Sequence, residues 1–400
     1  MAGAEFQGAR RIFAEYGGEI FGDEEGEEMK IAYVVADLKR VGPSNQTLNI
    51  IKNSCFRKDS IVITLFAEPS DSMKSDFENE GIKIRCLNLR RAAFILGGYR
   101  KLKKVLKEWK ADIVHSYGVK PDYVCQKACK HIDAVHIITL RNYPREDILT
   151  RMGSLKGKIA LYSHLSTLKK AKYIVACSNT IKEKMKKDFP NMNITTIQNG
   201  VDIEKYSRII PSKKMTLRKE MGLKEDKKIF ISVGSFIKRK RIGESVEGFL
   251  KYDANAKNDS EFLLLGDGPE LQSVRDKYKN RKVKFLGKIS NTQDYLHVAD
   301  AFISSSESEG LPNGVIEAIA CGVPVLLSNI KQHEEVLEEV PDSGIEYKLG
   351  DVDDLASKMR KILEYDNSKS DISGSNLTMK AMSEKYMVYY KRIEDEIRMT

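Results

Sequence analysis

Residues 304–326 read SSSESEGLPNGVIEAIACGVPVL, and this stretch is the one around which the rest of the chain is organised. It predicts a strand that ends in small polar residues, then a loop, a short helix and a second buried strand. Pro312 marks the entry to the helix, because the missing N–H of proline costs nothing at the first helical position. Gly322 marks the end of the helix. The order of these elements is typical of an α/β domain.

Two carboxylates flank the turn, Glu309 in the loop and Glu317 early in the predicted helix, with seven residues between them. Both are expected near a helix N-terminus, where unpaired backbone N–H groups and the positive end of the helix dipole favour an anion such as a diphosphate. A carboxylate on the opening turns of a helix can also serve only as a partner of the helix dipole. For Glu317 alone, both interpretations stay open.

The whole string resembles the donor-sugar motif of glycosyltransferase family 4, whose members are retaining enzymes of the GT-B fold. The resemblance implies an α/β protein with two Rossmann-like, doubly wound parallel-sheet domains that face a central cleft. The implied division is an N-terminal acceptor-side domain at residues 29–205, a C-terminal nucleotide-sugar-binding domain at 206–376, and a C-terminal helix at 377–400 that packs back on the first domain. Residues 1–28 contain an acidic run and are interpreted as an extension or tag that is not part of the fold.

The chain has 400 residues and a formal net charge of +10, which favours an anionic partner such as a nucleotide diphosphate or an acidic membrane surface. Nucleic acid is disfavoured, because the cations are not interleaved with an aromatic platform or a recognised binding module. The sequence contains neither an apolar run long enough to span a membrane nor a secretion signal, so we expect a cytoplasmic protein.

Residues 90–109 form a basic amphipathic stretch. A stretch of this kind can lie on an anionic membrane face, which would place the protein peripherally on the inner face of the plasma membrane. The alternative is an ordinary solvated helix face. The membrane interpretation gains weight only from the resemblance, because family 4 enzymes often serve lipid-linked acceptors.

A strand followed by the loop 37–45 and a helix from Gln46 opens the first domain. Neither a G-x-G-x-x-G nor a G-x-x-x-x-G-K-[ST] motif is present, so dinucleotide oxidoreduction and P-loop chemistry are disfavoured. The resemblance implies that Gly42 permits a close approach to the donor phosphates. It also implies that Asn45 and His115 lie on the acceptor side, although a lone histidine such as His115 can equally be a hydrogen-bonded core residue.

Arg141 departs from the family pattern, since many members carry a histidine there that hydrogen-bonds the transferred sugar. Arginine is always cationic and cannot accept a proton. One hypothesis is that Arg141 recognises a donor uronate carboxylate through bidentate hydrogen bonds. The other is that it contacts phosphate or acceptor.

The segment 230–241, FISVGSFIKRKR, runs from a buried strand through a glycine into four consecutive cations, which favours a phosphate site. Lys240 matches the family lysine that holds the diphosphate. Ser235 replaces the family arginine, so the second charge must come from elsewhere, with Lys238 and Arg239 as candidates.

By resemblance, Glu317 accepts hydrogen bonds from the two ribose hydroxyls, Glu309 contacts the donor sugar, and the backbone near Ile289 meets the base. Gly310, Leu311 and Pro312 complete the donor site. The implied catalytic set is Glu309, Lys240 and Arg141, and neither a metal nor another cofactor is expected.

The sequence therefore predicts a retaining glycosyltransferase that moves a sugar from a nucleotide donor, by expectation UDP-linked, to a saccharide or lipid-linked acceptor in cell-surface polysaccharide synthesis. Two alternatives stay open. One is a UDP-sugar epimerase of the same fold, whose histidine and acidic catalytic set is not apparent here. The other is a catalytically silent protein that binds nucleotide sugars or polyanions.

Overall fold

The computed structural model describes residues 29–91, 94–256 and 259–399. The predicted N-terminal extension, residues 1–28, lies outside the described residues.

A seven-stranded parallel sheet forms the centre of the first half, with strand order β3-β2-β1-β4-β5-β6-β7. Its inner strands are apolar and almost wholly buried, as expected for a parallel sheet that helices cover on both faces. The strands are β1 (Ile31–Val35), β2 (Ser60–Thr64), β3 (Lys83–Cys86), β4 (Ile113–Ser116), β5 (Val135–Leu140), β6 (Tyr173–Ala176) and β7 (Ile194–Thr196). The helices are α1 (Gly42–Lys52), α2 (Lys74–Asn79), α3 (Phe94–Trp109), α4 (Val119–Ala128), α5 (Pro144–Met152), α6 (Ser154–Leu168) and α7 (Asn179–Asp188).

The second half repeats the same plan around a six-stranded parallel sheet with order β10-β9-β8-β11-β12-β13. The strands are β8 (Lys228–Val233), β9 (Ser260–Leu265), β10 (Val283–Gly287), β11 (Ala301–Ser304), β12 (Val325–Ser328) and β13 (Gly344–Tyr347). The helices are α8 (Pro211–Glu220), α9 (Ile242–Ala254), α10 (Leu271–Lys277), α11 (Thr292–Val298), α12 (Asn313–Ala320), α13 (Lys331–Glu339), α14 (Val352–Ile362) and α15 (Met379–Arg398). Two doubly wound sheets are the fold that the sequence predicts, and the prediction is confirmed.

The chain crosses between the two halves twice, and the two crossings pair with each other. The Val201 N–H donates to the Leu377 carbonyl at 2.8 Å, and the Met379 N–H donates to the Val201 carbonyl at 2.8 Å. A Cβ on Gly200 would lie 2.4 Å from the Thr378 carbonyl oxygen, so only glycine allows this approach. The crossing therefore holds the start of α15 beside the end of the first sheet.

Helix α15 packs on the first domain, as the predicted fold requires. Buried Tyr386 and Tyr390 belong to the same apolar cluster as Ile31 of β1. The Ser383 hydroxyl also donates to the Asn49 carbonyl of α1 at 3.0 Å. The last helix thus completes the core of the first domain.

Local boundaries differ from the sequence prediction in several places, of which α1 and β7 are two. Helix α1 begins at Gly42, so the predicted loop 37–45 is four residues shorter than expected. Pro43 at the start of the helix explains the shift, because proline is tolerated in the first helical turn. Strand β7 was not predicted, because three residues are too short to give a periodic signal.

The basic stretch 90–109 contains α3, and its apolar residues Leu102 and Leu106 are buried in the first domain. Its lysines face outward, as on an ordinary solvated helix face. Within the described residues, no helix is both long enough and apolar enough to cross a membrane.

Candidate active site

Two loops meet at the carboxyl ends of neighbouring strands in the second sheet. Strand β8 runs through Gly234 to a 3₁₀ turn at Lys238–Lys240, and β11 runs into the loop 305–312 before α12. Because β8 and β11 pair in parallel, both loops leave the sheet at the same end. We call this region, made of residues 234–241 and 304–317, the second-sheet edge.

Glu309 is the centre of charge at the second-sheet edge. Its side chain is 4% exposed, and its Oε2 lies 2.7 Å from Arg239 Nη1. Lys240 forms an ion pair with Oε1, and the Ser306 hydroxyl donates to the same oxygen at 2.7 Å. Burial by itself raises the pKa of Glu309, but the charges of Lys240 and Arg239 outweigh it and hold the pKa well below its usual range. Glu309 is therefore ionised and fully paired.

The loop that carries Glu309 is fixed from behind by α13. Gln332 Nε2 donates to the Glu309 backbone carbonyl at 2.8 Å. His333 is buried, and its Nδ1 lies 2.8 Å from the Ser328 carbonyl. Sequence reasoning missed both residues, since neither stands in a motif. Gln332 therefore fixes the backbone at Glu309, and His333 fixes the neighbouring end of β12 at Ser328.

Glu317 is in a different state from Glu309. A carboxylate that only balances the helix dipole would be expected in the first turn of α12. Glu317 is the fifth of eight residues in this helix, so it lies beyond that turn. The side chain is half-buried, and no hydrogen bond to its carboxylate is found in the described part of the chain. Burial raises the pKa of Glu317 to about 7, although the charge of Lys205 opposes the shift. This carboxylate has unused acceptor capacity.

Residues of the first domain close against the start of α12. Arg141 Nη1 donates to Asn199 Oδ1 at 2.8 Å, and Asn199 Nδ2 donates to Asn313 Oδ1 at 3.0 Å. A Cβ on Gly42 would lie 2.7 Å from Asn313 Nδ2, and a Cβ on Gly310 would lie 1.9 Å from the Arg141 carbonyl oxygen. Gly310 is therefore needed for the two backbones to meet, whereas a side chain at position 42 would require the Asn313 amide to move.

These contacts bring Gly42, Arg141 and Gly310 together across the cleft, although each lies in a different part of the sequence. The roles of Asn199 and Asn313 were missed, because each precedes a glycine and was interpreted only as turn chemistry. No local signal in the sequence shows that two such turns contact each other.

The prediction that His115 lies on the acceptor side is not supported. His115 is 3% exposed, with Nδ1 2.7 Å from the Tyr390 hydroxyl and Nε2 2.6 Å from Thr139 Oγ1. Burial, together with the nearby charge of Arg141, lowers the pKa of His115 to about 3. The alternative interpretation, a hydrogen-bonded core histidine, describes its environment. Asn45 lies on α1 and is exposed.

The remaining predicted donor residues fall into two groups. Leu311 and Pro312 are buried and shape the turn into α12, while Ile289 is half-buried after β10. Ser235 and Lys238 are exposed, whereas Arg239 lies beside Lys240 at Glu309. Of the two candidates for the missing second charge, the structure therefore brings Arg239 into the site.

Within the described residues, no group of three or more histidine, cysteine or acidic side chains could hold a metal ion. The prediction that the reaction needs no metal stays a prediction.

Two doubly wound parallel sheets of this topology, one in each half of the chain, are the architecture of the GT-B fold. Family models agree: residues 57–205 match the model "Glycosyltransferase Family 4", and residues 213–376 match "Glycosyl transferases group 1". The two matches lie side by side and together span most of the chain, which therefore belongs to glycosyltransferase family 4.

Bacterial relatives are similar over most of the chain. An N-acetyl-alpha-D-glucosaminyl L-malate synthase from Bacillus anthracis is 29% identical over 73% of this chain and 77% of its own length. The capsular polysaccharide biosynthesis glycosyltransferase CapH of Staphylococcus aureus is 26% identical over 90% of this chain and 99% of its own. An Escherichia coli UDP-Gal:alpha-D-GlcNAc-diphosphoundecaprenol alpha-1,3-galactosyltransferase is 26% identical, over 66% and 69% respectively.

Solved structures share the fold at lower identity. Sucrose-phosphate synthase from Thermosynechococcus elongatus superposes with a TM-score of 0.74 at 16% identity, covering 92% of this chain and 100% of that one. Anabaena Alr3699/HepE in complex with UDP-glucose gives a TM-score of 0.71 at 19% identity, covering 92% and 98%. These similarities establish the fold.

Proposed function

We propose that the chain is a retaining glycosyltransferase that takes a sugar from a UDP-linked donor and delivers it to a saccharide carried on a lipid, in the synthesis of a cell-surface polysaccharide. The observation that carries the proposal is the pairing of Lys240 and Arg239 with Glu309 beside the start of α12. Charged groups of both signs, held in fixed positions in a cleft, are what the breaking of a bond to a diphosphate requires.

The diphosphate would bind at the cations. A Cβ on Gly234 would lie 3.6 Å from Lys240 Nζ, so the amine lies above a stretch of bare backbone that a phosphate can approach. Both cations form ion pairs with Glu309. When the diphosphate arrives, Lys240 can turn to its oxygens while Arg239 keeps Glu309 ionised. Negative charge that grows on the departing diphosphate is then stabilised by a cation already in position.

The two carboxylates take different parts of the donor in this proposal. Glu317 has free acceptor capacity, so it can accept hydrogen bonds from the two ribose hydroxyls. Glu309, still paired with Arg239, accepts a hydrogen bond from the transferred sugar. Neither carboxylate acts as a general base. The departing phosphate takes the proton of the attacking hydroxyl on the same face, which retains the anomeric configuration.

The acceptor class and the setting are supported by the names of relatives. One relative is named for transfer to a diphosphoundecaprenol-linked sugar, and another for capsular polysaccharide biosynthesis. UDP is supported by the structural neighbour in complex with UDP-glucose. We infer a cytoplasmic enzyme that works at the inner face of the plasma membrane.

A thermal-shift screen of UDP, GDP and inorganic pyrophosphate tests the donor part of this proposal. A ligand that binds only the folded state at a concentration 100-fold above its Kd adds about 2.7 kcal/mol of stability. We expect UDP to raise the Tm most. A rise with GDP alone would contradict the assignment of the base, and no rise with any of the three would contradict nucleotide binding.

Transfer from labelled UDP-sugar to a lipid-linked saccharide separates the proposal from its alternatives. An epimerase would convert the donor without an acceptor, and a silent binder would form no product. UDP-glucuronate assayed beside UDP-glucose tests the carboxylate hypothesis for Arg141, whose Nε is buried without a partner in the described residues. A clear preference for UDP-glucose would defeat that hypothesis.

A further inference from the structure

Helices α5 and α6 form a hairpin on the first domain, turning at Gly153, whose φ of +75° favours glycine. The helices pack closely, since a Cβ on Gly157 would lie 3.4 Å from the backbone of Leu149. The inner face of α6 is anchored: Leu168 is fully buried, and His164 Nε2 lies 2.9 Å from the buried carboxylate of Asp122. The hairpin is therefore a fixed part of the domain.

The outer face of the hairpin exposes a row of large apolar side chains. Leu155, Ile159 and Tyr162 stand on one face of α6, and they are 73%, 66% and 80% exposed. Leu149 and Met152 of α5 extend the same surface, at 37% and 44%. Five neighbouring side chains of this kind form a contiguous apolar surface, which on a water-soluble domain indicates a binding surface. We call these five residues the hairpin patch.

The charge beside the apolar row of α6 is positive, although α5 carries Glu146 and Asp147 in its first turn. Residues 149–172 contain no aspartate or glutamate, but they contain six cations. Arg151 and Lys172 are paired with carboxylates of the described residues. Lys156 and Lys158 are exposed beside the apolar row and form no ion pair within the described residues. A row of apolar groups with a tyrosine, framed by lysines, has the composition of a surface that inserts into the headgroup region of an anionic bilayer.

The hairpin also lies next to the cleft. Helix α5 begins at Pro144, three residues after Arg141, whose carbonyl oxygen meets Gly310 of the second domain. The chain therefore leads from the hairpin directly to a residue at the junction of the two domains.

The sequence offers residues 90–109 as one candidate for membrane contact, beside the interpretation as a solvated helix face, and the structure separates this stretch from the hairpin patch. The apolar residues Leu102 and Leu106 of α3 are buried in the core. Among the large apolar side chains described in this stretch, Ile95 is the one that is exposed. Helix α3 therefore exposes positive charge with little apolar surface, whereas the hairpin exposes positive charge together with a large apolar surface.

We propose that the α5–α6 hairpin is the surface that docks on an anionic lipid bilayer, with the hairpin patch inserted and Lys156 and Lys158 at the headgroups. Only the purpose of this docking, access to a lipid-linked acceptor, rests on the proposed function. Docking itself is measurable without donor, acceptor or turnover.

Cosedimentation of the full chain with phosphatidylglycerol vesicles, and separately with phosphatidylcholine vesicles, tests the proposal. We expect binding to phosphatidylglycerol that weakens as salt is raised, and little binding to phosphatidylcholine. The double variant Lys156→Gln/Lys158→Gln is expected to bind about 30-fold more weakly, on the basis of about a fivefold contribution per cation. The double variant Ile159→Ser/Tyr162→Ser is expected to lose at least about tenfold, because apolar insertion is removed.

A matched control is Lys101→Gln/Lys104→Gln on α3, which removes the same charge from exposed positions of the other basic surface. We expect this control to lose clearly less binding than Lys156→Gln/Lys158→Gln. A larger loss in the control would overturn the proposal and return the role to residues 90–109, as would unchanged binding of both hairpin variants. Light scattering without lipid adds a further outcome. Self-association that disappears in Ile159→Ser/Tyr162→Ser would mean that a second copy covers the patch, which also overturns the proposal.

UDP-induced thermal shifts measured on the same samples keep this test separate from the donor site. Lost vesicle binding with an intact UDP response supports the docking surface. If UDP raised the Tm of neither the unmodified chain nor any variant, the proposed function would be contradicted and the docking proposal would be unaffected.

Discussion

The carboxyl ends of the strands in the two sheets have the same topology and opposite chemistry. In the first sheet we call His115, Thr139, Tyr33 and Tyr390, near these strand ends, the first-sheet edge. These four side chains are uncharged, although Arg141 follows β5 nearby: His115 lies between Thr139 and Tyr390, and the Tyr390 hydroxyl lies 3.2 Å from that of Tyr33. At the second-sheet edge, Glu309 is held by two cations, and Glu317 has no hydrogen-bond partner among the described residues.

The same sheet topology therefore serves two purposes, since the polar groups stabilise the fold in the first domain and can bind a ligand in the second. The polar groups of the first-sheet edge are satisfied by a tyrosine of α15, so that edge contributes stability and fixes the last helix. At the second-sheet edge, charged groups are buried at a considerable cost in desolvation. Such a cost is typical of a site that binds a charged ligand.

The strongest test of the comparison is Glu309→Gln. The variant leaves Arg239 and Lys240 without their counter-charge, so we expect a loss of about 3 kcal/mol in the free energy of unfolding. Turnover should fall by about 10²-fold, since a group fixed at the reacting sugar is removed. UDP affinity should stay the same or tighten, because both cations become available to the diphosphate. Urea unfolding, initial rates and calorimetry measure the three quantities.

Glu307→Gln is the matched control, because Glu307 belongs to the same loop and its carboxylate lies 3.7 Å from the exposed Arg241. We expect its stability and turnover to be close to those of the unmodified chain. The assignment of Glu309 to the site would be wrong if Glu309→Gln kept full turnover. It would also be wrong if Glu307→Gln lost as much turnover and stability as Glu309→Gln.

The second test is Glu317→Gln, which should weaken UDP binding about tenfold or more, because hydrogen bonds to a charged acceptor contribute roughly 1.5–3 kcal/mol. The pH dependence sharpens this expectation. Burial raises the pKa of Glu317 to about 7, and ribose hydroxyls bind the ionised form. UDP affinity should therefore fall as pH decreases through about 7, and Glu317→Gln should remove that dependence. Calorimetry at several pH values measures both.

The same variant should be more stable than the unmodified chain. The pKa of the Glu317 carboxyl is raised on folding, here from 4.5 to about 7, so this group lowers the free energy of unfolding of the protein as pH rises through that window. We expect a gain of about 2 kcal/mol for Glu317→Gln at pH 8, a value reduced to allow for the partial exposure of the side chain. A variant that is less stable and still binds UDP normally would make Glu317 a structural residue, like those of the first-sheet edge.

The smallest expected effect comes from Tyr390→Phe at the first-sheet edge. Removal of the hydroxyl leaves His115 and Tyr33 each without one partner, so we expect a loss of about 1 kcal/mol in the free energy of unfolding. UDP affinity should not change. A loss of UDP affinity without a loss of stability would show that the neutral edge takes part in binding, and the comparison would fail.

Sequence reasoning succeeded where the signal was local. The strand, loop and helix around Glu309 were predicted because the small polar residues, Pro312 and Gly322 give direct backbone signals. For His115 it left two interpretations open, because the partner Tyr390 lies 275 residues away. The Asn199–Asn313 hydrogen bond was missed for the same reason, since it joins residues 114 positions apart. Pairing of Glu309 with Lys240 depends in the same way on the neighbouring positions of β8 and β11, which only the sheet order reveals.

The most direct test of the central claim is a crystal structure of the chain with UDP. We expect the diphosphate to lie against Lys240 and the backbone at Gly234, with the ribose hydroxyls on Glu317 and the Glu309–Arg239 pair intact. Density for UDP away from the second-sheet edge, or a Glu317 carboxylate that contacts only protein while UDP is bound, would contradict it.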